Sequence, residues 1–236
     1  MKRSEVLQPI LELFEAPSYL EIGVNTGDTF FALRAARKVA VDPHFLFDLE
    51  EARRREPHSS FFDVASDEYF GELIDPAEKF DVVYLDGLHT FEQTLRDFCN
   101  ATQFLRVGGI IVVDDVVPNS HAASLPDEAL AVRLKRELND ADQSWMGDVY
   151  RLVYFIDTFF QQYDFATVIE NHGQLVVWRR QRSAAEVTPR LVEQIARVPF
   201  EAVLTERRVF RRRSYAEIIE VLQHRPRALT HAGGPS

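Results

Sequence analysis

Over its first half the chain alternates short apolar runs with longer stretches in which apolar residues recur every three or four positions. The runs are Tyr19-Leu20-Glu21-Ile22, Lys38-Val39-Ala40-Val41, Ser60-Phe61-Phe62, Phe80-Asp81-Val82-Val83-Tyr84-Leu85 and Ile110-Ile111-Val112-Val113. Short runs of this kind, bounded by polar residues, suit buried strands. Between them lie "DTFFALRAAR", "FLFDLEEARRRE", "SDEYFGEL" and "TFEQTLRDFCNATQFL". The last places Phe91, Leu95, Phe98 and Leu105 among charged residues, an amphipathic helix with Thr90 as its N-cap. Strands and helices alternating at this spacing predict a parallel sheet covered on both faces.

After Pro118 the pattern changes. A helix-like "PDEALAVRLKRELNDA" leads into the loop "DQSWMGDVYRL". Two strand candidates follow, Phe165–Ile169 and Gln174–Trp178, and the "ENHG" between them suits a hairpin-like reversal. The sequence therefore predicts an α/β fold over residues 1–180. Its core is a Rossmann-like doubly wound sheet of five parallel strands plus a terminal antiparallel pair, with helices on both faces. Residues 181–236 are expected to form a helical C-terminal extension ("TPRLVEQIARVPF", "RSYAEIIEVLQ") and a frayed tail, "HRPRALTHAGGPS".

Charge and cysteine usage narrow the partners. The 236 residues carry a net charge of -10, which disfavours broad contact with nucleic acid or an anionic membrane. From Arg179 onward, however, 12 basic residues face 6 acidic ones. That run reads as a solvated helix face or a partner for acids of the same protein, and as a local anion site otherwise. No apolar run approaches the roughly 20 residues of a membrane helix, and Glu5, Glu12 and Glu15 interrupt any secretory pattern. The single cysteine, Cys99, excludes an internal disulfide. A cytoplasmic protein, forming a homodimer and acting on a small molecule, is the expectation.

Each of the first five strand candidates ends in an acid: Glu21, Asp42, Asp63, Asp86, and Asp114 followed by Asp115. Aspartate is common at strand ends as a turn former. Five in succession, on the sheet edge where doubly wound folds bind ligands, point to function. The loop "LEIGVNTGDTF" carries Gly23 and Gly27 before a helix, which lets backbone approach a nucleotide-like ligand. Asn25 stands where a dinucleotide fingerprint has its second glycine, so a pyrophosphate is disfavoured. Asp42 follows Glu21 by 21 residues, where an acid accepts hydrogen bonds from ribose hydroxyls. Asp63 could accept from an adenine amino group beside a stacking Phe62.

These segments resemble the class I S-adenosylmethionine-dependent methyltransferases over roughly residues 17 to 118. "LEIGVNTGD" is similar to their glycine loop, "VAVDP" to their ribose-binding strand end, and "FDVVYLDGLHTFEQTLRDFCNATQFLRVGGIIVVDD" to their fourth strand, helix and fifth strand. The resemblance is closest to the small metal-dependent O-methyltransferases, which include catechol O-methyltransferase and sugar and natural-product tailoring enzymes. It implies S-adenosylmethionine bound by Glu21, Gly23, Asn25, Gly27, Asp42, Phe62, Asp63 and Asp86. It also implies Mg²⁺, or another divalent cation, held by Asp86, Asp114 and Asp115. His89 stands where the catechol enzyme has its basic lysine, a departure that turns the expectation from catechols toward sugars.

The chemistry accords with "YLDGLHTF". The cofactor's sulfonium is already a good leaving group, so the demand falls on the acceptor hydroxyl. A Lewis acid and a general base answer it. With an ordinary pKa near ~6.5, His89 is expected to be mostly neutral at pH 7 and to accept the proton. Two other readings stay open: a residue satisfied by backbone at the helix start, and a fourth metal ligand favouring Zn²⁺, Mn²⁺ or Fe²⁺. Asp115 alternatively caps the turn before Pro118, and Asn119 and His121 lie just beyond. In "SWMGDVYRL", Trp145 and Asp148 are candidates for holding a sugar, with Trp145 and Met146 as a hydrophobic staple the alternative. His44 reads as surface and Cys99 as core. The competing functions are a non-catalytic S-adenosylmethionine-binding regulator, a nicotinamide-dependent oxidoreductase, which would want the complete glycine fingerprint, and a nucleic-acid methyltransferase, which the acidic body disfavours.

Overall fold

The computed structural model describes residues 1–225; most of the expected tail lies outside the described residues. The strands are β1 (Ser18–Ile22), β2 (Arg37–Val41), β3 (Ser59–Phe62), β4 (Phe80–Leu85), β5 (Leu105–Val113), β6 (Tyr163–Val168), β7 (Leu175–Arg179) and β8 (Arg212–Arg213). The helices are α1 (Arg3–Leu11), α2 (Asp28–Ala32), α3 (Leu49–Arg55), α4 (Ser66–Glu68, continued by a wider turn over Tyr69–Leu73), α5 (Phe91–Phe104), α6 (Glu128–Glu137), α7 (Arg151–Phe159), α8 (Val192–Ile195), α9 (Glu201–Thr205) and α10 (Tyr215–His224).

One sheet runs in the order β3-β2-β1-β4-β5-β7-β6-β8. The first five strands are parallel, and β7 and β6 close the sheet antiparallel, as the sequence predicts. The eighth strand was not predicted. Two residues, Arg212 and Arg213, pair parallel to β6, so the C-terminal segment adds an edge to the same sheet.

Side chains alternate across a strand with a period of two, and that alternation divides the core. On one face, Leu20, Ile22, Val83 and Leu85 pack with Phe91 and Phe98 of α5, with α7, and with Val203 and Phe210. On the other, Tyr19, Val82 and Tyr84 pack with Val6, Leu7 and Ile10 of α1, Phe30 of α2, and Ile218 and Leu222 of α10. Thr90 caps α5, accepting from the Gln93 N–H at 3.4 Å. The helix ends at Phe104, so Leu105 opens β5 instead of continuing the apolar face. Cys99 is half-buried at most, and burial raises its thiol pKa.

Asp97 is the one carboxylate of the buried α5 face. Burial pushes it up to about 6, although Ser66 and Gln93 donate toward it. The folded state thus binds a proton more tightly than the unfolded chain does, and stability rises as pH falls through 6 toward 4. Asp97→Asn, which mimics the protonated acid, is expected to be the more stable form at pH 8, by up to about 3 kcal/mol. The advantage should shrink toward pH 5. Urea titrations of both proteins across that range check it.

Candidate functional site

The parallel strands end in one row. Ile22 is level with Val41 and Leu85, Val41 with Phe62, and Leu85 with Val113. The residues that follow, Gly23, Asp42, Asp63, Asp86 and Asp114, therefore step out together along the C-terminal edge. The order reverses between β1 and β4, and that crevice is where doubly wound sheets bind ligands. A cavity of about 750 Å³ opens there, within the range of small-molecule sites.

The glycine loop forms one wall. Gly23 has φ +84°, and a Cβ on it would lie 2.1 Å from the Asp86 carbonyl oxygen, so loop and acid are in direct backbone contact. Asn25 is a non-glycine residue at φ +49°. Asp42 holds this shape: its Oδ2 accepts from the Val24 and Asn25 N–H groups at 2.7 and 2.8 Å, and its Oδ1 from the His44 N–H at 2.7 Å. Glu21 is buried under the loop and accepts from the Tyr19 hydroxyl at 2.6 Å. Burial first, and the charge of Asp86 with it, raise Glu21 to about 8.

Glu21, Gly23, Asn25, Asp42, Asp86, His89 and Trp145 all line this cavity. Gly27 starts α2 in the left-handed region at φ +80° and sits behind the wall against Phe31. Phe62 and Asp63 are not among the lining residues; Phe62 packs on Tyr69 and Asp63 is exposed, while Ala65 and Ser66 reach the cavity instead.

Opposite the loop stands the acid cluster. His89 lies between two carboxylates, its Nε2 3.3 Å from Asp86 Oδ1 and its Nδ1 3.3 Å from Asp115 Oδ2. The same Nδ1 is 3.0 Å from the Trp145 carbonyl. A carbonyl oxygen only accepts, so Nδ1 carries the hydrogen and Nε2 is the nitrogen left for chemistry. Burial lowers the imidazole's proton affinity, but Asp86, Asp115 and the Trp145 carbonyl outweigh it and push His89 to about 9. This corrects the expectation of a mostly neutral ring: with the acids unengaged, His89 holds its proton at pH 7.

Asp114 is oriented differently. Its Oδ2 accepts from Arg3 Nε and from the Tyr84 hydroxyl at 2.8 Å, and its Oδ1 faces His172 Nε2 at 3.7 Å. Asp115 adopts φ +59°, unusual for a side-chain-bearing residue and found chiefly where a site demands it. Two groups of potential ligands result among the described residues: Asp86, His89 and Asp115, and separately Asp114, Asp115 and His172. The oxygens Asp86 Oδ1 and Asp114 Oδ1 are buried and accept no hydrogen bond. The His89 and His172 rings face them, at 3.3 and 3.7 Å, and buried carboxylates gathered this closely favour a cation, so the group of Asp86, His89 and Asp115 fits a divalent ion.

Trp145 is held at the cavity by contacts on both sides of its ring. Its indole N–H donates to the Leu125 carbonyl at 2.7 Å, and its ring tilts over His89 at 5.3 Å between centroids. Met146 beside it is buried. Asp148, a candidate for the substrate, is instead buried and structural: it accepts from the Phe91 N–H at 2.7 Å and pairs with Arg151. Arg3, Tyr84 and His172 were not singled out from the sequence. Only their position in the folded chain brings them to the cluster.

Residues 20–116 match a family model described as a methyltransferase domain. Among solved structures, a candidate caffeoyl-CoA O-methyltransferase from Staphylococcus aureus superposes with TM-score 0.54 at 12% identity, covering 76% of this chain and 85% of that one. Cofactor-bound Rv0187 from MTB superposes with TM-score 0.51 at 20% identity, covering 77% and 82%. No curated protein matches the chain. The chain thus shares the fold of these methyltransferase structures, and its residues 20–116 are similar to a methyltransferase domain.

Proposed function

We propose that this protein is an S-adenosylmethionine-dependent O-methyltransferase whose acceptor is a hydroxyl of a sugar or similar small molecule. The observation that carries this reading is one cavity with the glycine loop on one wall and Asp86 and His89 on the other. Cofactor and acceptor base then meet without any movement of the sheet. Asp42 shapes the loop, Glu21 underlies it, and Trp145 offers a flat face to the acceptor.

Asp86 and Asp115, on either side of His89, would hold a divalent cation, Mg²⁺ being the ion proposed. When bound, it supplies Lewis acidity that lowers the pKa of an acceptor hydroxyl. With Asp86 and Asp115 engaged in this way, the field that keeps a proton on His89 weakens and the Nε2 lone pair becomes available. Nε2 takes the hydroxyl proton as the oxygen attacks the methyl carbon. The carbon–sulfur bond breaks, its electron pair stays on sulfur, and S-adenosylhomocysteine results. Alignment of the two reactants supplies the larger share of the acceleration, up to roughly 7–11 kcal/mol.

A cytoplasmic homodimer without nucleic-acid or membrane partners completes the proposal. The acidic balance speaks against nucleic-acid and anionic-membrane partners and the single cysteine suits a reducing compartment, and no described helix is long and apolar enough to cross a membrane. Calorimetric titration of metal-stripped protein with S-adenosylhomocysteine, then with Mg²⁺, tests the reading. Both should bind to the unmutated chain, and an Asp86→Ala, Asp115→Ala double variant should keep the first and lose the second. Binding of S-adenosylhomocysteine without any metal response would favour a metal-free enzyme or a regulatory binder. No binding at all would reject the cavity as a cofactor site.

A further inference from the structure

We infer that Arg3 is a resident cation of the acid cluster, and that it withdraws Asp114 from the ligand set, leaving an added divalent ion to Asp86 and Asp115 beside His89. The inference rests on the metal reading above and departs from the family's ligand set, in which the position of Asp114 binds the ion.

Arg3 is the first residue of α1, and it is not a free surface arginine. The helix behind it is fixed by Val6, Leu7, Ile10 and Leu11, all fully buried. The terminal amino group of Met1 donates to the Glu170 carbonyl at 3.2 Å. From this anchored start the side chain enters the cavity lining. Its Nε meets Asp114 Oδ2 and stands 3.4 Å from Asp86 Oδ2, so the guanidinium bridges the strand ends of β4 and β5. A guanidinium keeps its charge at any working pH.

The consequence for Asp114 is geometric. Its Oδ2 has two donors, Arg3 Nε and the Tyr84 hydroxyl. Its remaining oxygen faces His172 at 3.7 Å, in the second group of Asp114, Asp115 and His172, and Asp114 is not a member of the group formed by Asp86, His89 and Asp115. Asp86, in contrast, keeps Oδ1 for that group while Oδ2 faces Arg3. Arg3 thus covers one oxygen of each acid and leaves the second oxygen of Asp86, not of Asp114, beside His89.

A permanent positive charge this close repels a divalent ion. Two unit charges about 6 Å apart interact strongly enough at the effective dielectric of a protein surface to change an affinity by on the order of a hundredfold. The test is Mn²⁺ binding to the metal-stripped, full-length chain, read by loss of the free-ion electron paramagnetic resonance signal. S-adenosylhomocysteine binding serves as the check that each variant is folded. Arg3→Gln is expected to bind Mn²⁺ at least about tenfold more tightly, and Arg3→Lys, which keeps the charge, close to the unmutated protein. Arg3→Gln combined with Asp114→Asn removes one charge of each sign and should bind within about threefold of the unmutated protein, while Asp115→Asn loses binding.

Loss of Mn²⁺ from the double variant would make Asp114 a ligand and overturn the inference. So would an Arg3→Gln protein no tighter than the parent, which would reduce Arg3 to a tether for α1. If the parent binds no Mn²⁺ and Arg3→Gln does, Arg3 is the cluster's cation and the metal part of the proposed function falls alone. If no variant binds Mn²⁺ while S-adenosylhomocysteine still binds, both fall.

Discussion

Replacing His89 by alanine is expected to lower methyl transfer by about 10²–10⁴-fold while S-adenosylhomocysteine affinity stays within about threefold. The two effects separate because His89 borders the cavity from the acid side, whereas the glycine loop is shaped by Asp42 and by contact with the Asp86 backbone. Single-turnover rates on the acceptor that a sugar screen returns measure the first, and calorimetry the second. An unchanged rate would demote His89 to a residue of the helix start. A loss of cofactor affinity as large as the loss of rate would make it part of the cofactor wall.

The pH dependence gives an independent reading that needs no acceptor. His89 stands at about 9 because Asp86 and Asp115 hold its proton against the opposing effect of burial. A base must be unprotonated, so the competent fraction in metal-stripped protein should rise with pH through a midpoint at about 9. Addition of Mg²⁺ should draw that midpoint down by at least about one unit, since the carboxylates then serve the ion. An NMR titration of the imidazole, with and without Mg²⁺, checks both values. A midpoint near ~6.5 in the metal-free protein would mean the three groups are not in contact in solution.

Much of the fold was legible because β1, β2, β4 and the second half of β5 are buried on both faces and read as short, mostly apolar runs. The five runs became β1 to β5, and "ENHG" became the turn between β6 and β7. Where the sheet ends was harder to read. Arg212 and Arg213 form an exposed strand with no apolar character, held by backbone pairing to β6 alone, and nothing in their side chains announces that. The helix-like "DTFFALRAAR" shortened to α2 for a comparable reason: Lys38 is buried and donates to the Phe30 and Leu33 carbonyls at 3.0 and 3.1 Å, which satisfies the chain where further helical turns would have.

The candidate site was legible to the extent that it lies at strand ends. Asp42, Asp86, Asp114 and Asp115 follow directly from the row of Ile22, Val41, Leu85 and Val113. What the sequence could not supply were the groups that reach this edge from distant parts of the chain. Arg3 is 111 residues from Asp114, and its partnership leaves no local pattern. Asp148 looked available because an acid after glycine in a polar loop usually is; the fold spends it on the Phe91 N–H, a second cap for α5 beside Thr90.

Gly147→Ala is expected to reduce activity as severely as the loss of His89 and, unlike that change, to destabilise the fold. Gly147 has φ +61°, and a Cβ there would lie 1.5 Å from the His89 carbonyl oxygen, with the His89 Cβ 3.0 Å away. The nearest obstacle is backbone, which cannot swing aside as a side chain would. A left-handed alanine costs roughly 1–2 kcal/mol, and overpacking adds typically about 1–3 kcal/mol. For a chain of this length the sum corresponds to a fall in melting temperature on the order of 5–15 °C. The chemical loss has its own cause. The loop around Gly147 brings the Trp145 carbonyl to His89 Nδ1 and the Asp148 carboxylate to the Phe91 N–H, so moving it shifts the imidazole from both sides. A displacement of about 1 Å at a reacting group costs roughly 10²-fold. Gly71→Ala, where an added Cβ meets nothing within 4 Å, is the control and should leave stability and rate unchanged. Differential scanning calorimetry together with single-turnover rates on the two variants decides it. A Gly147→Ala protein of parental stability and rate would mean that the "SWMGDV" loop does not rest on His89 in solution, and the assignment of Nε2 as the reactive nitrogen would lose its basis.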